Sequence, residues 1–348
     1  MKKKSILLFI TILSVFLLVG CNDFKAPDEI PKTVNKELEK KAEIVLSAGE
    51  INPEEHLMGK LLTKYSEIVN EKSNGRIYIE VYAGGQLGDE RNEMQAVQMG
   101  ALDIFRANTV FVGDFGAEKL NLFALPYLFE DREHLWKVLN SPIGDELLND
   151  LENNQLGMIG LGYVEEGSRH FFNTKKPIYD PEDLNGMKLR VSETSILMDT
   201  VSALGSSPTP ISFGELFTSL QTGVVDGAEQ PLSGYFSNSF NEVAPYLILD
   251  GHTYSPGMLV ISERTWQKLN PEDQKILKEA AKELEGYNRK IVEKEEQEIL
   301  TELQEHGTTV TKPKDIKEWQ NAVQFIYEKY GSEYIDLIEK IRSMGTNK

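Results

Sequence analysis

Apolar and polar positions along residues 43–107 follow two periods that alternate along the chain. Short apolar runs, which are typical of buried strands, occupy three segments: 43–48, 76–82 and 101–107. Between them, apolar residues recur at the three-to-four-residue spacing of a helix. Asn52 and Pro53 provide a start signal for the first helix and Asp89 for the second, because such residues suit the free N–H groups of a first turn. The segment is therefore predicted to fold as a β-α-β-α-β unit.

The same order of periods returns between residues 180 and 228. Strands are predicted over 187–191, 208–211 and 224–228, and helices over 193–204 and 213–221. Ser212 and Glu215 have the spacing of a capping box at the start of the second helix. Since helices that connect strands favour parallel sheets, the chain is predicted to be an α/β protein with two lobes and a cleft between them.

Polar residues stand where the predicted strands end. Asn108 follows the third strand, Arg190 lies near the end of a strand in the second unit, and Glu229 and Gln230 follow the last strand. Open α/β sheets bind ligands beyond the carboxyl ends of their strands, so we expect these side chains to face the cleft. Beyond residue 251 the pattern becomes helical, and we expect these helices to pack across the backs of both lobes.

The first twenty residues differ from the rest of the chain. Three lysines at positions 2–4 precede residues 5–20, an apolar run without a charged residue, as in a secretory signal peptide. The run ends at Leu18-Val19-Gly20-Cys21, which resembles the lipobox of bacterial lipoproteins, and Cys21 is the only cysteine. We predict that 1–20 is removed, that Cys21 carries lipid and that 21–41 is a tether. The alternative is an uncleaved anchor, but its run is shorter than the roughly 20 residues that span a membrane.

Composition then narrows the classes of function. The 348 residues include 55 acidic and 37 basic ones, so the net charge is −18, and removing the three lysines of 1–20 makes it −21. This balance argues against binding of nucleic acid, which needs a basic surface. One cysteine excludes an internal disulfide and a cysteine-rich zinc site, and the five histidines show no metal-binding spacing. No nucleophile motif is evident, so neither a metal, a cofactor nor an enzyme activity is predicted.

Four segments carry a resemblance to a known family. In sequence letters they are QLGDER (86–91), FALPYLF (123–129), PEDLNGMKLRV (181–191) and LQTGVVDGAEQP (220–231). In this order they resemble the solute-binding proteins of TRAP transporters, the DctP family, over residues 42 to about 330. The resemblance implies a two-lobed fold like the type II periplasmic binding proteins. Lobe I would comprise 42–167 and about 256–295, and lobe II 168–255 and about 296–348.

Proteins of this family capture organic acids outside the cell and deliver them to a permease driven by an ion gradient. The resemblance therefore implies an exported binding protein, here held by lipid at the extracytoplasmic face of the membrane. Its partners would be the small and large membrane subunits of the permease. A ligand-sensing module and an extracytoplasmic enzyme are the alternative functions.

The resemblance also implies roles for individual residues. Arg190 occupies the position of the arginine that binds the ligand carboxylate, to which a planar guanidinium is well matched. Arg169 follows the pattern of a second arginine. Gln230 stands where many members have asparagine, and Phe213 stands where they have an aromatic wall under the ligand. The alternatives are structural: an ion pair for either arginine and a core position for Phe213.

Three more residues complete the predicted ligand site. Glu90 and Asn108 align with positions that touch polar groups of the ligand, and His252 lies near the crossing between the lobes. Each also has a structural alternative, respectively a solvated acid, a strand terminator and a structural histidine. Because carboxylate and amide groups bind hydroxyls, a sugar acid such as a uronate or aldonate is favoured, and a C4-dicarboxylate is the alternative ligand.

Overall fold

A computed structural model of the chain describes residues 41–345. The strands of this part are β1 (Ile44–Gly49), β2 (Ile77–Tyr82), β3 (Ile104–Asn108), β4 (Met158–Val164), β5 (Arg169–Asn173), β6 (Lys188–Val191), β7 (Ser207–Pro210), β8 (Gly227–Pro231), β9 (Tyr246–Ile248), β10 (Gly257–Ser262) and β11 (Thr309–Thr311). The predictions for the signal peptide 1–20, for Cys21 and for nearly all of the tether 21–41 lie outside the described residues.

Helices connect and cover these strands. The α-helices are α1 (Leu57–Lys72), α2 (Glu90–Met99), α3 (Thr109–Asp114), α4 (Arg132–Leu139), α5 (Pro142–Leu148), α6 (Asp150–Asn153), α7 (Ser195–Ala203), α8 (Leu216–Gln221), α9 (Leu232–Ser237), α10 (Phe240–Val243), α11 (Glu263–Trp266), α12 (Pro271–Glu305), α13 (Ile316–Ala322), α14 (Gln324–Tyr330) and α15 (Ile335–Ser343). Short 3₁₀ helices cover Glu118–Ala124, Pro181–Leu184, Phe213–Glu215 and Ser332–Tyr334.

The first sheet has the strand order β2-β1-β3-β10-β4. Strand β1 is parallel to β2 and β3, as the β-α-β-α-β pattern predicts, but β10 runs antiparallel to both β3 and β4. The expectation of a purely helical pattern after residue 251 is therefore wrong. All six residues of β10 are buried, so its sequence lacks the alternation that marks a half-exposed strand.

The second sheet has the strand order β11-β9-β5-β8-β6-β7. Its strand β8 begins three residues later than predicted. Val224 is 53% exposed, and the backbone and side chain of Asp226 instead bond Lys188 at the start of β6. The shift moves Glu229 and Gln230 into the carboxyl half of the strand, where both are buried.

Three helices that bear on the site or on the predictions begin at a side-chain cap. Asp89 caps α2 and Asn270 caps α12, each by accepting backbone N–H groups of the first turn. Helix α1 begins at Leu57 and is capped by His56, not by Asn52. The side chain of Asn52 instead donates to the buried carboxylate of Glu50 at 2.7 Å.

Helix α12 packs on α1 and on strand β4 of the first sheet, and it also packs on α9, which follows β8 of the second sheet. It thus touches elements of both sheets, as the C-terminal helices were expected to do. The predicted α/β class is confirmed, with parallel and antiparallel pairs in both sheets. The exact lobe boundaries stay a prediction.

Candidate functional site

A cavity lies at the carboxyl ends of strands from both sheets. It contains about 580 Å³ of empty space, including the part open to solvent. Residues predicted from the sequence line it: Glu90, Asn108, Arg169, Phe213 and Gln230. An adjoining pocket shares Glu90 and Phe213 with the cavity and is lined by Arg190. The structure therefore brings together all the predicted ligand-binding residues except His252.

Arg190, on β6, is buried, and within residues 41–345 its guanidinium is only partly engaged in hydrogen bonds. Nε donates to the carbonyl of Ile211 at 2.8 Å, whereas Nη1 is buried without a hydrogen-bond partner among the described residues. The guanidinium carbon lies 5.7 Å from the ring centre of Phe213. Burial lowers the pKa of Arg190 to about 10, although Glu229 opposes the shift. The side chain is therefore a cation at neutral pH with a donor available to an anion.

Arg169 is paired with Glu229. Its Nε and Nη2 donate to the two oxygens of the Glu229 carboxylate, with 2.8 Å between Nη2 and Oε1. Strands β5 and β8 pair with Phe171 opposite Glu229, which makes Arg169 a diagonal neighbour of this carboxylate. Burial opposes ionisation of Glu229, but Arg169 overcomes it and the pKa of Glu229 falls to about 2. The structural alternative, an ion pair, describes the contacts of Arg169.

His252 is buried beside Glu229, and neither residue is among those that line the cavity. It is 1% exposed, its ring stacks on Phe171 at 4.3 Å, and its Nδ1 is 2.7 Å from Asp250. Its Nε2 is 3.5 Å from Glu229. Burial disfavours the charged ring, but Asp250 and Glu229 raise the pKa of His252 to about 9. These contacts are those of the structural alternative, in which a charged imidazole pairs with Asp250 and Glu229, and a ligand contact of His252 stays a prediction.

A third buried arginine, which the sequence did not point to, binds two carboxylates. Arg106 on β3 donates from Nε and Nη2 to Glu50 and from Nη1 to Glu166, each at 2.6 Å. We call these three residues the Arg106 cluster. Arg106 and Glu166 line the cavity. The signal was a charged residue inside an apolar strand, because a buried charge requires a partner.

Helix α2 places two glutamates at different depths. Glu90, its first residue, lines the cavity, and burial raises the pKa of Glu90 to about 7, although Arg106 opposes the shift. Glu93 is fully buried one turn further on, and neither of its oxygens has a hydrogen-bond partner among the described residues. Burial and the nearby Glu50 raise the pKa of Glu93 to about 9. Glu93 is therefore neutral at pH 7.

Hydroxyl groups also face the cavity without partners. Thr194 and Ser255 line it and are 1% and 2% exposed, and the side-chain oxygen of each lacks a hydrogen-bond partner in the described part of the chain. Asn108 both caps α3 and donates to the carbonyl of Ser255 at 3.4 Å, so it serves as strand terminator as well as lining residue. Buried hydroxyls normally find a partner, so these two oxygens are available to accept or donate hydrogen bonds in the cavity.

A metal-binding cluster and a membrane-spanning helix are both absent from residues 41–345. No cluster of three or more histidine, cysteine or acidic side chains is arranged to hold a metal ion. No helix in this range combines the length and the apolar character that crossing a membrane requires.

Comparisons with known proteins agree on one family. The family model of the bacterial extracellular solute-binding proteins, family 7 (DctP), matches residues 48–333 of this chain. The C4-dicarboxylate-binding protein DctB of Bacillus subtilis strain 168 is 31% identical over 291 residues, which cover 83% of this chain and 82% of the relative.

Solved structures are similar over almost their whole length. A TRAP periplasmic solute-binding protein from Polaromonas sp. JS666, bound to D-erythronate, has a TM-score of 0.83 and 34% identity, over 86% of this chain and 98% of that chain. One from Pseudomonas putida F1, with bound D-glucuronate, has a TM-score of 0.82 and 31% identity, over 85% of this chain and 96% of that chain.

Proposed function

The chain belongs to family 7 of the bacterial extracellular solute-binding proteins, and from this membership we propose that it captures a sugar acid whose carboxylate binds Arg190. It is a binding protein of the TRAP type and not an enzyme. A C4-dicarboxylate is the second candidate ligand, because the relative from Bacillus subtilis is named as a binder of such acids.

The observation that carries this proposal is the free nitrogen of Arg190. A buried cationic donor without a partner is costly, and a carboxylate that accepts from Nη1 would remove that cost. Phe213 lies over the same guanidinium and offers an apolar face to the carbon skeleton of the ligand. Gln230, Thr194 and Ser255 supply groups that bind hydroxyls, which supports a sugar acid.

Capture is coupled to transport through closure of the cleft. A ligand that contacts residues from both sheets favours the closed arrangement by as much as its affinity for that arrangement exceeds its affinity for the open one. The closed protein would then dock on the small and large membrane subunits of a TRAP permease, which must favour reopening. These partners follow from the family.

The exported location is shared with the family, and we extend it to a lipid anchor at Cys21. The support is the lysine-rich start, the apolar run and the single cysteine of the sequence. Cys21→Ala is expected to release the protein from the membrane fraction and to abolish labelling by an alkyne fatty acid in cells. Unchanged membrane association and labelling would contradict the anchor.

The central experiment is calorimetric titration with D-glucuronate, D-galacturonate, D-erythronate and succinate, guided by a thermal-shift screen. Arg190→Ala is expected to weaken the binding free energy of the acid by roughly 2–5 kcal/mol, the range for breaking a buried charged pair. Arg264→Ala is the matched control, because Arg264 is exposed and donates to the carbonyl of Met99. Equal affinity of the wild type and Arg190→Ala would refute the anchor, and binding of none of these acids would refute the ligand class.

A further inference from the structure

Four arginines line the cavity or its adjoining pocket, but they differ in what they offer a ligand. Arg91 is exposed and paired with Glu193. All three nitrogens of Arg106 donate to carboxylates of Glu50 and Glu166. Arg169 is held by both oxygens of Glu229. Arg190 has a buried nitrogen without a partner among residues 41–345. This inventory of donors fits a ligand with one carboxylate.

The two arginines that line the cavity beyond the pocket of Arg190 are both already paired with carboxylates. In the Arg106 cluster two carboxyl groups face a single guanidinium. Glu166 lines the cavity, whereas Glu50 is not among its lining residues. A second ligand carboxylate placed here would meet Glu166 and find every nitrogen of Arg106 already engaged. Like charges that approach in a buried site cost considerable affinity.

The same region is suited to hydroxyl groups. Glu166 accepts hydrogen bonds, and the buried hydroxyls of Thr194 and Ser255 can donate or accept. A hydroxylated carbon chain that is anchored at Arg190 would satisfy these groups without adding a charge. The free donor of Arg190 and the hydroxyl-binding groups of the cavity would therefore serve different groups of the ligand.

We infer that Glu166 is a specificity-determining residue that limits the ligand to a monocarboxylate. It occupies Arg106 and presents a negative charge where the far end of a dicarboxylic acid would lie. Discrimination of this kind works by a repulsive element against the competitor as well as by contacts to the correct ligand. The inference rests on the proposed function, because it takes Arg190 as the anchor.

Two matched pairs of acids test it by calorimetry at pH 7.5. D-Galactonate and galactarate are open chains that differ only in oxidation of C6, and D-erythronate and meso-tartrate differ only in oxidation of C4. Where the wild type binds an acid of a pair, the dicarboxylate is expected to bind at least about tenfold more weakly than the monocarboxylate of the same pair. Glu166→Gln is expected to reduce this ratio several-fold. Glu182→Gln, which removes an exposed charge, is expected to leave the ratio unchanged.

The outcomes separate this inference from the proposed function. A dicarboxylate that binds the wild type as tightly as its partner would overturn the inference and leave the binding of organic acids intact. A Glu166→Gln variant that binds acids with an unchanged ratio would overturn the role of Glu166. If that variant does not fold, the wild-type ratio still decides. Absence of binding by these four acids and by the acids of the titration above would overturn the proposed function and this inference with it.

Discussion

The carboxyl of Glu93 is buried, unpaired within the described residues and neutral at pH 7. We therefore expect it to affect the free energy of unfolding by an amount that depends on pH. Its side chain is packed so closely on β1 that a Cβ added to Gly49 would lie 2.2 Å from Glu93 Oε2. Water therefore has no room to solvate an ionised form there. Glu93→Gln replaces the neutral acid by an uncharged group of the same shape.

The magnitude follows from the two pKa values. The carboxyl has its ordinary value of 4.5 in the unfolded chain and a value of about 9 in the folded one. Between these values the folded state binds the extra proton, so the free energy of unfolding falls as pH rises, by about 1.4 kcal/mol per pH unit. At pH 7 the penalty amounts to about 3 kcal/mol. Glutamine does not titrate, so Glu93→Gln should remove this penalty.

The assay is urea unfolding of the wild type and Glu93→Gln at several pH values between 5 and 8. As pH rises, the free energy of unfolding of the variant is expected to increase steadily relative to that of the wild type. The increase should reach at least about 2 kcal/mol across the range, with the m-value unchanged. Glu152→Gln, an exposed site on α6, is the control and should run parallel to the wild type. The reasoning would be refuted if the difference in free energy of unfolding between Glu93→Gln and the wild type did not change with pH, or if it shrank as pH rises.

Two other titrating groups give predictions of their own. His252 has a raised pKa of about 9, so its charged pairing with Asp250 and Glu229 stabilises the fold fully below pH 6.5 and is lost as pH rises through 9. His252→Gln should therefore be less stable than the wild type at pH 6, and unfolding curves should converge at pH 9.5; a constant difference would contradict this. Glu90 gains its charge around pH 7, so affinity for a sugar acid should fall between pH 6 and 8 in the wild type and stay level in Glu90→Gln. Calorimetry at both pH values checks it, and equal pH dependence of the two proteins would contradict it.

Local chemistry explains why some elements could be predicted from the sequence. The starts of α2 and α12 depend on residues within one turn of Asp89 and Asn270, so the cap residues alone locate them. Arg190 and Phe213 were found through motifs that resemble a family. Their contact across 23 positions of the chain, with the ring over the guanidinium, was not visible in the sequence.

Long-range pairing explains what the sequence could not provide. Arg106 meets Glu50 and Glu166 only because β1, β3, β10 and β4 align side by side, and the partners are 56 and 60 residues apart. The same dependence on the sheet draws Asn52 away from its expected helix cap. The pairing of His252 with Glu229, 23 residues away in the chain, likewise depends on the fold.

The most direct test of the account is a crystal structure of the protein with a bound uronate or aldonate. The account predicts that a carboxylate oxygen of the ligand lies within hydrogen-bond distance of Arg190 Nη1, with the carbon skeleton beside Phe213 and the Arg106 cluster intact. A ligand carboxylate bound elsewhere, with Arg190 Nη1 still unpartnered, would contradict it.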